Sequence, residues 1–335
     1  MKKYLQSNQG SNSIDFILDI SYAFQKSRVL LTACEFEIFS IIGENGLRSE
    51  EIANKIDADK IATERLLNAL CGLDLLTKKE GYYYNTSTSM KHLVLGSDEF
   101  MGNLEYIAST WDMWSNLSQT IKTGKSLNYT SIDKVSEKWI DNYSAAAFWR
   151  ANSEAADIVK LVSNSGAKKI LDLGGGMGAY AKAFSEQHPE SEIVLFDIPH
   201  VAEQAKANIK EWNLIDKIKV IEGNFQTDDI GKGYDLIFIS RVLQHYSIWE
   251  NVKTLQKCFD ATLPGGHVVI NETMLDDNRI SPTQHVMWSI NLLLNSNGGD
   301  SYTETDLWVM MREAWYRNVV KVNTPFDTTL MIGER

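Results

Sequence analysis

From about residue 167 onward the chain alternates short apolar runs with amphipathic segments, and the turn after the first run is Gly174-Gly175-Gly176-Met177-Gly178. The runs fall at 169–173, 193–197, 218–221, 234–239 and 267–271. Helical periodicity lies between them at about 179–187, 201–212 and 249–259. Strands that are apolar throughout and separated by helices predict a doubly wound α/β parallel sheet covered on both faces. In such a sheet ligands bind beyond the carboxyl ends of the strands, where strand order reverses. Glycines there allow positive φ and close approach of a ligand to the backbone. The following helix turns its N-terminal amides toward the same place.

The first half has a different period. Residues from about 14 to 165 read as helix, with apolar steps such as Phe16, Ile17, Ile20, Ala23 and Phe24. Inside it lies a helix-turn-helix pattern: a helix opening at Arg48-Ser49-Glu50-Glu51 with a serine cap, then a longer one over 58–75. Residues 76–85 follow as a β-hairpin turning at Glu80-Gly81. Together these make a winged helix, which either reads DNA or packs as a dimerisation module. On the second helix Lys60 and Arg65 face Asp57, Asp59 and Glu64, a poor set for phosphates. The module is therefore expected to pair two copies of the chain. The expected domains are 1–100 (winged-helix dimerisation), 101–165 (helical connector) and 166–335 (α/β, ligand-binding).

A formal net charge of −11 over 335 residues argues against a nucleic-acid partner. No apolar stretch approaches the ~20 residues of a membrane span, and the opening MKKYLQSNQGSNS turns polar at once, unlike a signal peptide. Cys34, Cys71 and Cys258 lie far apart in helical runs and read as buried, reduced thiols. A cytoplasmic protein is expected.

A glycine turn alone also suits nicotinamide cofactors. Here the pattern is Asp172-x-Gly174-x-Gly176-x-Gly178, the second strand ends in Asp197, able to accept from vicinal ribose hydroxyls, and Leu263-Pro264-Gly265-Gly266 opens the fifth strand. With Phe196-Asp197-Ile198-Pro199, Gly223-Asn224-Phe225, Arg241-Val242-Leu243 and Gly298-Gly299 in order, the chain resembles the class I S-adenosylmethionine-dependent methyltransferases. More closely it resembles the small-molecule O-methyltransferases of plant caffeate and bacterial polyketide type, over nearly its full length. The resemblance implies S-adenosyl-L-methionine as cofactor. It implies that Asp172, Gly174, Gly176 and Gly178 cradle its methionyl part, that Asp197 takes the ribose, and that Asn224 and Phe225 flank the adenine, with Ser240 and Arg241 nearby. The family usually has Asp at the position of Asn224, and plant members carry lysine at that of Ser240.

The catalytic pattern departs from the family. Where an Arg-x-Leu-His-Asp-Trp type motif is usual, the chain reads Arg241-Val242-Leu243-Gln244-His245-Tyr246. Gln244 thus takes the position of the histidine base, and His245 that of the following Asp. Glu272 survives after the fifth strand, whereas Gly298-Gly299 is followed by Asp300 rather than by glutamate. Three readings stay open. His245 has taken over the base; the acceptor needs no strong base, whether hydroxyl, carbon or amine; or the cofactor is bound without methyl transfer.

The resemblance implies a small, flat methyl acceptor bordered by Trp111, Trp114, Phe148, Trp149, His285, Trp288 and Asn291. Asn152 stands in place of the family's pocket methionine. His245, Glu272 and His285 are scattered along the chain, and no metal is expected. His188 and His200 are expected to be solvated.

Overall fold

The computed structural model describes residues 13–97, 99–101, 104–128, 136–162 and 166–335. They group into two compact units, Met1–Ser109 and Thr110–Arg335.

In the first unit, Ser13 caps α1 (Ile14–Glu35) by accepting the Phe16 N–H at 3.2 Å. There follow α2 (Ile38–Ile42), β1 (Leu47–Arg48), α3 (Ser49–Lys55), α4 (Lys60–Gly72), β2 (Leu76–Lys79), β3 (Tyr82–Asn85), α5 (Ser87–His92) and α6 (Leu104–Ser109). The strands pair in the order β1-β3-β2, and the wing turns at Glu80-Gly81, both with positive φ. Ala33, Phe39, Leu67, Leu70 and Tyr83 close the core. Two starts differ from expectation. Arg48, not Ser49, is the capping residue of α3, its N–H held by the Glu51 carboxylate at 2.7 Å. The longer helix starts at Lys60, because the Asp59 carboxylate takes the Ala62 N–H at 2.8 Å. Ile14, Phe16, Ile17 and Ile20 on α1 remain exposed.

The second unit begins with α7 (Trp111–Ser115), α8 (Leu117–Thr123) and α9 (Glu137–Leu161). The alternating part follows: β4 (Lys169–Leu173), α10 (Ala179–Gln187), β5 (Glu192–Asp197), α11 (Pro199–Glu211), β6 (Ile218–Glu222), β7 (Tyr234–Ser240), α12 (Ile248–Ala261) and β8 (Thr262–Glu272). It closes with α13 (Thr283–Asn295), α14 (Glu304–Glu313), β9 (Arg317–Asn323) and β10 (Thr329–Glu334). The seven strands lie in the order β6-β5-β4-β7-β8-β10-β9. The first five are parallel, while β10 runs antiparallel to β8 and to β9. Strand order reverses at β4, the strand that carries the glycine turn.

Side chains on β4 alternate between faces as a strand must. Leu171 and Leu173 join the cluster under α12 and α14, and Ile170 joins the one under α9, α10 and α11. Strand β8 starts at Thr262, so Leu263-Pro264-Gly265-Gly266 lies within it. The extra residues are absorbed by a register shift against β7 between Tyr234 and Leu236. Cys258 is buried, while Cys34 and Cys71 are only half-buried; all three are free thiols.

Candidate active site

The glycine turn is shaped by what stands around it. Gly174, Gly176 and Gly178 all have positive φ. A Cβ on Gly174 would meet Val242 Cγ2 at 2.6 Å, and one on Gly175 would meet Asp172 Oδ2 and Leu195 Cγ at 2.8 Å. Beside Gly176 lies open space, with no atom within 4 Å of a built Cβ. That turn is thus packed tightly underneath and open above, the form of a cradle.

Asp197 locks the cradle. Its two carboxylate oxygens accept the Gly176 N–H at 2.8 Å and the Ile198 N–H at 2.7 Å. Burial pushes its carboxyl up to about 6. Asp172, fully covered beneath, is pushed up to about 7 by burial and by the Asp197 charge, and its Oδ2 has no hydrogen-bond partner. Open glycines, a carboxylate fixed against them and an unpaired buried oxygen fit a ligand with a cationic end and vicinal hydroxyls.

Around this centre, Phe225 meets Tyr246 edge-to-face at 5.5 Å. Asn224 spends its side-chain oxygen on the Gln226 N–H. Ser240 Oγ accepts from Asn271 Nδ2, which also donates to the Tyr180 hydroxyl. Arg241, at positive φ, turns its guanidinium to Glu154 and Asp327, leaving Nε without a partner.

The turn after β7 carries Gln244 and His245. Gln244 is buried; its Nε2 donates to the Arg241 carbonyl at 3.0 Å, and its Oε1 accepts the Trp288 indole N–H at 2.7 Å. Both ends of the amide are thus occupied. Neighbouring His245 shares a 2.7 Å hydrogen bond between Nε2 and the Tyr143 hydroxyl, and burial lowers its imidazole to about 4. Tyr143 in turn stacks on Trp139 at 5.4 Å. Burial pushes the Glu272 carboxyl up to about 8, and its Oε1 accepts the Leu243 N–H at 3.0 Å. Glu272 therefore grips the backbone of this turn. The Gly298-Gly299 segment lies against the same turn, where a Cβ on Gly299 would run into the Gln244 carbonyl oxygen. Gly299→Ala is expected to cost about 2 kcal/mol in denaturant unfolding by overpacking that turn.

The residues expected at the acceptor divide. Trp111 and Trp114 come from α7, which packs on α13, the helix that supplies Trp288 and Asn291. The Asn291 side chain is buried with its Nδ2 unpartnered. His285 donates its Nδ1–H to the Met274 carbonyl at 2.7 Å and lines a cavity of about 530 Å³ together with Asp327 and Lys321. Phe148 stacks instead on Trp212 at 6.1 Å, Trp149 is half-buried, and Asn152 faces solvent. His200, expected to be solvated, is paired with Asp141 at 2.8 Å. Among the described residues no group of three or more His, Cys, Asp or Glu is arranged to hold a metal ion, and no helix is long and apolar enough to cross a membrane.

Residues 121–317 match the model of an O-methyltransferase domain, and residues 18–94 that of the O-methyltransferase dimerisation domain. The chain belongs to the O-methyltransferase family. It is 26% identical over 305 residues to the 3-hydroxy-5-methyl-1-naphthoate 3-O-methyltransferase of Streptomyces sahachiroi, covering 89% of this chain and 88% of that one. It is 25% identical over 328 residues to the tetracenomycin polyketide synthesis 8-O-methyl transferase of Streptomyces glaucescens, covering 95% and 96%. The crystal structure of human N-acetylserotonin methyltransferase in complex with SAM superposes with a TM-score of 0.85 at 24% identity, covering 98% of this chain and 99% of that one. This methyltransferase is an S-adenosylmethionine-dependent enzyme acting on a small molecule, and its second domain has the family fold. Its match to the dimerisation domain supports a homodimer.

Tyr143 and Asp141 escaped the sequence reading, and His200 was read only as a solvated residue. The one local signal was the four-residue spacing of Trp139 and Tyr143, which puts both on one helix face.

Proposed function

We propose that this methyltransferase transfers a methyl group to an acidic hydroxyl of a flat aromatic or polyketide-like metabolite, with His245 receiving the proton. The observation that carries the reading is the double occupation of the Gln244 amide by the Arg241 carbonyl and Trp288. An amide is no base at neutral pH, and this one is a fixed part of the pocket wall.

S-adenosylmethionine supplies an electrophilic methyl group. Gly174, Gly176 and Gly178 would hold its methionyl end, Asp197 the ribose hydroxyls, and Phe225 and Tyr246 the adenine. Glu272, uncharged below about pH 8, fixes the backbone that carries Gln244 and His245. His245, neutral above about pH 4, keeps one ring nitrogen able to accept a proton. So weak a base helps only as the new C–O bond makes the hydroxyl strongly acidic. The preference for an acidic hydroxyl follows from that. Trp111, Trp114, Trp288 and the free Asn291 Nδ2 would stack on and orient the acceptor. The naphthoate and tetracenomycin enzymes act on rings of this type by their names, which supports the reading. Burial of the exposed α1 residues against a second copy, and a cytoplasmic location, belong to the same proposal.

A series of naphthols and hydroxyquinones of graded acidity tests it. Methylation at oxygen is expected, with kcat/KM rising as the acceptor pKa falls toward about 7. Transfer to amines or ring carbons at comparable rates would contradict it.

A further inference from the structure

The helix α9 makes two polar contacts within one turn, one to α11 and one to the turn after β7. Asp141 accepts from Gln204 and pairs with His200 at 2.8 Å. Both partners lie on α11, which starts two residues after Asp197. Tyr143 bonds His245 in the turn after β7. In the sheet β4 lies between β5, which leads into α11, and β7. A helical turn fastened to α11, which follows β5, and to the turn after β7 bridges the two elements that flank β4, whose carboxyl end carries the glycine cradle. The stacking of Trp139 on Tyr143, with an interplanar angle of 2°, stiffens that turn.

We propose that residues 139–143 form a strap over the cofactor groove, held by the Asp141–His200–Gln204 contact and by Tyr143–His245, which must unfasten for S-adenosylhomocysteine to leave. Asp141, His200 and Gln204 are positioning residues: they act on cofactor exchange and not on the transferred methyl.

The strap is sensitive to pH. The hydrogen bond to Asp141, with the charges of Asp141, Glu137 and Glu203, raises the His200 imidazole above its usual 6.5. Its position at the start of α11 works the other way. A raised histidine pKa means that the pairing is fully present below 6.5 and is lost as pH rises through the raised value. Ionisation of Asp197 and Asp172 acts in the opposite sense on cofactor affinity, since it strengthens with rising pH. That background is common to the wild type and to variants in the strap, so the ratio of their rates isolates the strap.

The test is the release of labelled S-adenosylhomocysteine from the full chain, chased with excess unlabelled ligand. Asp141→Asn and His200→Gln are expected to release it about threefold faster than wild type near pH 6, the scale of a partly exposed ion pair. The ratio should fall toward one in alkaline solution, above the raised value of the wild-type histidine. Tyr143→Phe should speed release by a similar factor at both pH values. A ratio of one at every pH for both Asp141→Asn and His200→Gln, or a ratio that does not change with pH, would overturn the strap.

Discussion

Replacing Asp197 by alanine is expected to weaken S-adenosylmethionine binding about a hundredfold, or about 2.7 kcal/mol. Two effects add. The ribose would lose a charged acceptor, and hydrogen bonds to charged groups are worth about 1.5–3 kcal/mol each. The Gly176 and Ile198 amides, held at 2.8 and 2.7 Å, would also lose their partner, so the cradle loosens. Asp197→Asn retains an acceptor for one of them and should cost less. The sign of the pH effect follows from burial. In the empty protein the Asp197 carboxyl sits at about 6, so it is protonated in more acidic solution and must lose that proton to receive two hydroxyls well. Affinity should therefore drop as pH falls below about 6 in wild type and drop less in Asp197→Ala, where Asp172 alone still titrates. Isothermal calorimetry with S-adenosylhomocysteine measures both.

His245→Ala is expected to lower kcat about a hundredfold while leaving cofactor affinity within a few-fold of wild type, the low end of what general bases contribute. The modest size reflects an imidazole that burial holds near 4. Gln244→Ala should behave differently. It removes the partner of the Trp288 indole N–H, a side chain proposed to border the acceptor, so KM for the acceptor should rise more than kcat falls. Equal losses in the two variants would mean that this turn acts only as a structural unit. Unchanged kcat in His245→Ala would leave proton removal to solvent and favour acceptors already ionised.

Much of the second domain was legible because its signals are local. Each parallel strand is a short apolar run, and the helix over Ala179–Gln187 follows directly from its glycine start. The winged helix was legible through the helical period of 58–75 and the Glu80-Gly81 turn, although its caps, Arg48 with Glu51 and then Asp59, were not. The edge of the sheet was not. Strand β9 is mostly exposed and carries Arg317, Asn318 and Lys321, so its pattern is that of a solvated segment, and its pairing with β10 closes only in three dimensions. The loss of the usual base was visible from Gln244 alone. What Gln244 does instead was not visible, because Trp288 lies 44 residues away. The same distance problem hid the Tyr143–His245 bond, which spans 102 residues. Phe148 looked like an acceptor residue by its place in the chain, yet α9 turns it toward Trp212.

A crystal structure of the protein with S-adenosylhomocysteine tests the central claim most directly. The ribose hydroxyls are expected on Asp197, the amino-acid end over Gly174, Gly176 and Gly178, and His245 facing the side from which an acceptor hydroxyl approaches the sulfur. A ligand bound elsewhere, or one seated in the cradle with Asp197 out of reach of its ribose, would contradict it.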